Sequence, residues 1–227
     1  MTWSTRLQKK LQDARLANKK KRLAIFKGVV AGMPRPLRVV DLGGTASFWT
    51  AWGFGHDGDL RVTLVNNHEQ DRTNVGYDNS IPYVKEEIND VRHLTADCLK
   101  EFDLVFSNSM IEHLTSHEEQ FHLGLTIEQS GVAFFVQTPN KYSIVDPHFP
   151  HPLVPFFGAY PKTIQGLLLT MNRLGSGARA ASLATARGRL RYYHPVSAGQ
   201  LQAMLPSGQL VRERFLGFCH SLIAIRR

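Results

Sequence analysis

Cysteine is scarce in this sequence, acids are nearly absent from one long stretch and missing from another, and no apolar run is long. Cys98 and Cys219 are its only two cysteines. They lie far apart and in no metal-binding spacing, which excludes a disulfide framework or a cysteine-based zinc module and fits a reducing compartment. No run reaches the eighteen or so apolar residues that span a bilayer, and the basic amino terminus has no apolar stretch of signal-peptide length. The expected location is the cytoplasm, with peripheral contact to a membrane left open.

The gaps in acid are informative too. Residues 1–38 hold eleven Lys and Arg against the single acid Asp13, a net of +10 within a chain whose total is +8. From Pro147 to Arg212 there is no acid at all, while Lys162, Arg173, Arg179, Arg187, Arg189, Arg191 and Arg212 appear. Two basic segments of this kind raise the local concentration of phosphates, nucleic acid or anionic lipid without choosing among them. A solvated helix face explains a charge run equally well.

What is present, in 227 residues, is enough for one domain with appendages. Trp3, Leu7, Leu11 and Ala14 recur every three or four residues, so 3–20 is predicted to be an amphipathic helix. The helical signal continues through Val30 until Gly32 and Pro34 stop it. This divides the chain into a basic helical segment, 1–34, and a main domain, 35–227, with an insertion at about 140–195. Short apolar runs at 37–42, 60–65, 83–87, 103–106 and 132–137 alternate with helical stretches such as 118–128. That alternation predicts an α/β fold: a Rossmann-like, doubly wound, mostly parallel sheet with helices on both faces. A helix at 196–205 and strands at 210–215 and 218–225 follow. The insertion breaks the pattern, and its prolines predict irregular structure.

Val39 to Leu42 is a strand running into Gly43-Gly44, and glycine there lets the backbone turn sharply and approach a ligand. Phe102 to Phe106 reads as a buried strand with the polar edge Ser107-Asn108-Ser109. In open α/β sheets, ligands collect beyond the carboxyl ends of the strands, so the two polar ends are candidates to line one crevice.

Taken in order, Asp41-Leu42-Gly43-Gly44-Thr45, Val65-Asn66, Asn89-Asp90-Val91, the run FDLVFSNSMIEHL from Phe102 to Leu114, and Gln137-Thr138-Pro139-Asn140 resemble a class I S-adenosylmethionine-dependent methyltransferase. The likeness is greatest to the type 11 and ubiquinone/menaquinone kind and spans about residues 37–140. It implies S-adenosyl-L-methionine as cofactor and an antiparallel hairpin closing the sheet. The family's first loop is Asp-x-Gly-x-Gly-x-Gly; Asp41, Gly43, Thr45 and Ser47 stand there, with Gly44 beside them. Asp41 then orients the cofactor's amino-acid end through the loop. Asn66 stands where the family carries an acid for the ribose, followed by Asn67, and an amide lacks the charge that strengthens a carboxylate's bonds. Asp90 and Val91 match the adenine-reading position, and Ser107 or Asn108 the methionyl side.

Glu112 and His113 are the candidates for active chemistry, since an imidazole can take a proton from a nucleophile and a carboxylate can orient it. Related enzymes use such a pair as a base or as divalent-metal ligands. His113, His117 and His122 do not share one helical face, and no dedicated metal site is expected. The acceptor is expected against the insertion, at His148, His151, Phe156, Tyr160 and Tyr193, with Tyr192 and His194 returning to close the site. The acceptor itself reads as a small molecule, or one linked to a lipid or glycan, that is methylated on oxygen or nitrogen. Two other readings stay open: an RNA methyltransferase, suggested by the basic amino terminus, and a non-catalytic protein of the same fold, suggested by Asn66 and the thinned glycine loop.

Overall fold

The computed structural model describes residues 3–54, 58–67, 84–146, 148–149, 154–171, 179–215 and 217–227, the side chains of 3–16 and 84–88 excepted. The chain divides into two compact units, Met1–Arg35 and Pro36–Arg227. The first holds helix α1, Trp3–Val30, and Gly32 and Pro34 fall just past its end. No helix among the described residues is long and apolar enough to cross a membrane.

The second unit is built on seven strands. They are β1 (Leu37–Leu42), β2 (Leu60–Asn66), β3 (Val84–Ile88), β4 (Leu104–Asn108), β5 (Ala133–Pro139), β6 (Gln209–Phe215) and β7 (Phe218–Arg226). Their order across the sheet is β3-β2-β1-β4-β5-β7-β6. The first five run parallel, and β7 pairs antiparallel with both β5 and β6, so the closing hairpin is as expected. Val39 sits opposite Val62 on one side and Leu104 on the other.

Alternation along these strands covers both faces, as parallel strands require. Val40, Leu42, Val105, Phe134 and Val136 pack in one core with Leu123, Ile127 and Leu201. Those three belong to helices α4 (His117–Ser130) and α7 (Ala198–Met204). On the opposite face Phe106 stacks on Phe135 at 5.5 Å and meets Phe48, Trp49 and Trp52 at 5.5, 5.0 and 5.9 Å. Phe48 and Trp49 lie on the short helix α2, Ala46–Ala51. Aromatic bulk thus lets a short helix cover what a longer crossover helix would. Helix ends follow the residues that cap them: Ser116 accepts from Glu119 N at the start of α4, Gly131 closes it at φ +70°, and Ser197 with Gln200 forms a capping box at α7. A further turn, α3 (Ala96–Leu99), is capped by Thr95.

The insertion is a correction to the irregular structure expected of it. It contains helices α5 (Lys162–Met171) and α6 (Leu183–Leu190), because its prolines end at Pro161 and none recurs before Pro195. Phe157, Leu169, Ala180, Ala186, Leu190 and Tyr193 close a small core of their own.

From β1 the chain moves outward through β2 and β3, then returns to lay β4 on the other side of β1. The carboxyl ends of β1 and β4 therefore flank the reversal, the place where open α/β sheets bind ligands.

Candidate functional site

A cavity of about 850 Å³ opens at that reversal. Each of the first four strands delivers residues to it: Gly43 after β1, Val65, Asn66 and Asn67 at β2, Asp90, Val91 and Arg92 after β3, Ser109 and Met110 after β4. His113, Leu114, Thr115 and Glu119 continue the wall, and Arg191 and Tyr192 come from the end of the insertion.

The glycine loop is shaped by the protein's own side chains. Gly43 has φ +76°, donates its N–H to Val65 O at 2.9 Å, and a Cβ on it would overlap the Met110 side chain. A Cβ on Gly44 would overlap the Asp41 carboxylate. Asp41 does not reach the cavity. It is fully buried, one oxygen accepts from Trp49 Nε1 at 2.7 Å, and burial raises its pKa to about 7 although the Trp49 bond opposes that. Its place is under the loop, which it props from the far face of β1. Thr45 likewise caps α2, accepting from Phe48 N at 3.3 Å, and does not line the cavity.

Asn66 has a task that a carboxylate could not perform. Its Nδ2 donates to Gly44 O at 3.0 Å, joining the ends of β1 and β2. Asn67 donates to Asp90 Oδ2 at 2.9 Å, and Arg92 grips the same carboxylate through Nε at 2.9 Å while reaching Glu119 Oε1 at 3.4 Å. The Arg92 guanidinium holds the Asp90 carboxyl below the usual range. Arg92 was not singled out from the sequence; its position two residues after Asp90 was the available signal.

Ser107 and Asn108 do not line the cavity. Ser107 points into the sheet, buried, with its hydroxyl donating to Leu42 O at 3.4 Å. Ser109 and Met110 take over because the chain turns sharply after β4. Ser109 has φ +57°, held there by bonds of 3.0 Å from its N–H and its hydroxyl to Gln137.

Next to the cavity, three potential ligand residues converge. Glu112 is fully buried and its Oε2 accepts from the Thr138 hydroxyl at 3.0 Å. His113 Nδ1 lies 3.0 Å from the Tyr192 carbonyl oxygen. A carbonyl can only accept, so Nδ1 carries the hydrogen and the lone pair of the neutral ring is on Nε2. That Nε2 faces His148 Nε2 at 3.0 Å. His148 is aimed there by a turn in which Asp146 Oδ1 accepts from the N–H groups of His148 and Phe149 at 2.8 and 3.0 Å, and the Tyr193 hydroxyl holds the other Asp146 oxygen. Burial first, then the neighbouring His113, push the His148 pKa well below the ordinary imidazole range. Gln120 Nε2 spans to Ile111 O and His194 O at 2.9 and 2.7 Å, lashing the end of the insertion to this loop.

Of the remaining insertion residues expected at the acceptor, none that is described lines this cavity. Phe156 packs on Phe218 of β7 at 6.1 Å, Tyr160 is exposed, and Tyr193 is buried in the small core because its ring packs against Phe149 and Phe157. His151 lies outside the described residues. Tyr192, beside Tyr193, is the ring that lines the cavity. His117 bonds Gln120 Oε1 at 2.7 Å and packs on His194, apart from the His113 group.

No protein-family model matches the chain, and no curated protein does. Solved structures do. The amino-terminal domain of EvdMO1, solved in the presence of SAH and D-fucose, superposes with a TM-score of 0.53 at 16% identity, covering 91% of this chain and 81% of that one. A chain from Rhodobacter sphaeroides, provisionally described as a Zn-dependent alcohol dehydrogenase, gives 0.53 at 12% identity over 88% of each chain. PigF with SAH gives 0.47 at 14% identity over 84% of this chain, which spans only 56% of the PigF length. At 12 to 16% identity the two likenesses with a TM-score of 0.53 show the fold alone, a Rossmann-like, mostly parallel sheet.

Proposed function

We propose that this chain is an S-adenosylmethionine-dependent methyltransferase that methylates an oxygen or nitrogen of a small-molecule acceptor, lipid- or glycan-linked acceptors included. The observation that carries the reading is the cavity at the sheet's topological reversal, lined in turn by the ends of β1, β2, β3 and β4. SAH in the EvdMO1 domain of the same fold supports it.

The residues present fit that cofactor. Asn66, Asn67 and Asp90 offer hydrogen-bonding groups along one side, while Val65, Val91, Met110 and Leu114 offer apolar surface for a heterocycle, the mixture expected of a small-molecule site. When bound, S-adenosylmethionine supplies an electrophilic methyl group on a sulfonium. The protein's task is then to hold the acceptor in line, and orientation alone lowers such barriers by roughly 7 to 11 kcal/mol. Asp90 is already engaged by Arg92 and Asn67, so it fixes the floor of the adenine position and leaves the Val91 backbone to read the ring. His113, on the cavity wall, is the group placed to act on the acceptor, as a base through the Nε2 lone pair when no ion holds that nitrogen.

Thermal shift with S-adenosylmethionine and SAH tests the reading, followed by transfer to a panel of hydroxyl and amine acceptors. Both ligands should stabilise the protein. His113→Ala should bind SAH like the wild type and slow transfer by about 10²- to 10⁴-fold. A folded protein that neither ligand stabilises at millimolar concentration would leave the non-catalytic reading standing.

A further inference from the structure

We infer that Glu112, His113 and His148 form a binding site for a divalent first-row transition ion whose open coordination positions face the cavity. Among the described residues, these are the ones whose potential ligand atoms all lie within 4.8 Å of one another.

The spacing suits an ion. Two donors each about 2.1 Å from a tetrahedral ion lie about 3.4 Å apart. Here His113 Nε2 is 3.0 Å from His148 Nε2, and that nitrogen is 3.8 Å from Glu112 Oε1, values on either side of the ideal. The donor set of two imidazoles and one carboxylate favours zinc, iron, cobalt or nickel over calcium and magnesium, which prefer oxygen alone.

A second, independent feature is what holds two of the three ligands from behind. Metal-binding histidines characteristically donate their other ring N–H to a carbonyl or carboxylate, which fixes the tautomer and the ring. The Nδ1 of His113 does this to the Tyr192 carbonyl. His148 is aimed differently: its Nδ1 makes no hydrogen bond and lies 3.8 Å from Asp146 Oδ1, while that carboxylate, fixed by Tyr193, accepts from the His148 and Phe149 backbone N–H groups and sets the turn that carries the ring. The Thr138 hydroxyl anchors Glu112 Oε2, so that Oε1 is the oxygen turned toward His148. Thus β5 and the insertion's return fix Glu112 and His113, and the turn at Asp146 aims His148. Three protein ligands leave at least one position open, the arrangement of a catalytic rather than a structural ion. Because His113 lines the cavity, that position is available to an acceptor oxygen or a water. The binding site stands on its own ligands; only its use in methyl transfer rests on the methyltransferase reading.

The test uses tag-free, chelator-treated full-length protein without S-adenosylmethionine, so that failure of the cofactor reading and failure of this one remain separate. Zn²⁺ is titrated by calorimetry, and Co²⁺ by its visible absorption. One equivalent should bind. Losing a ligand costs more than losing an outer-shell partner, which is worth 10- to 100-fold, so His113→Ala and His148→Ala should each weaken binding by at least about a hundredfold. Glu112→Gln keeps the shape and removes the charge, and should also weaken it. Thr138→Val should cost roughly tenfold, while His117→Ala should change nothing. The inference is overturned if the folded wild type binds neither ion at millimolar concentration. It is overturned equally if binding survives both histidine replacements or is indifferent to Glu112→Gln.

Discussion

The strand-end wall of the cavity and the wall supplied by residues 140–195 are made differently. The first is delivered by backbone: four parallel strands stop, and the residues just past each carboxyl end face the cavity whatever their side chains do next. The second depends on tertiary contacts, in which Asp146, Tyr193 and Gln120 tie a proline-rich stretch to the loop after β4. The strand-end wall should therefore tolerate damage in the insertion, and not the reverse.

Asp41 offers the largest way to break the first wall. Its folded pKa of about 7 lies above its ordinary 3.8, so the folded state keeps the proton longer than the unfolded one. The stability this group contributes is full below the lower value and is lost as pH rises through the higher. Over about three units this amounts to on the order of 4 kcal/mol. Urea midpoints of the wild type should fall between pH 5 and pH 8, and Asp41→Asn should flatten that fall. An unchanged slope in the variant would remove Asp41 as its cause.

Tyr193→Phe probes the second wall alone. Leaving a buried Asp146 oxygen without its hydroxyl partner should cost about 2 kcal/mol. Hydrogen exchange at the His148 and Phe149 amides should speed up, with the amides of β1 and β4 unchanged. Loss of protection in those strands as well would show that the two walls are one cooperative unit.

The smallest expected effect is at Asn66. Replacing it with Asp turns the 3.0 Å bond to Gly44 O into two oxygens facing each other, at a cost of about 1 kcal/mol in stability, and SAH affinity should not rise. A gain in affinity would mean that Asn66 serves as a weakened ribose acid and not as a tie between strands.

This contrast also explains what could be read from the sequence. Strand ends follow from local alternation and glycine, so β1 to β5 and the polar edge Ser107-Asn108-Ser109 were legible, while their order across the sheet was not. Which face a residue takes at such an end was not, because it depends on one turn: the left-handed Ser109 moves the cavity contact from Ser107 and Asn108 to Ser109 and Met110. Asp41 was legible as important and illegible as buried, since its partner Trp49 lies on a helix too short for periodicity to place. His148 was noted beside His151, its neighbour in sequence. Its actual partners, Glu112 and His113, lie 36 and 35 residues earlier, and only the turn at Asp146 brings them together.

The claim that the strand-end cavity holds the cofactor is tested most directly by calorimetric titration of SAH into the wild type and into Val91→Trp, which fills the cavity from the end of β3. The account predicts one equivalent bound by the wild type and none by the folded variant. Equal binding by both proteins, or no binding by the wild type at millimolar SAH, would contradict it.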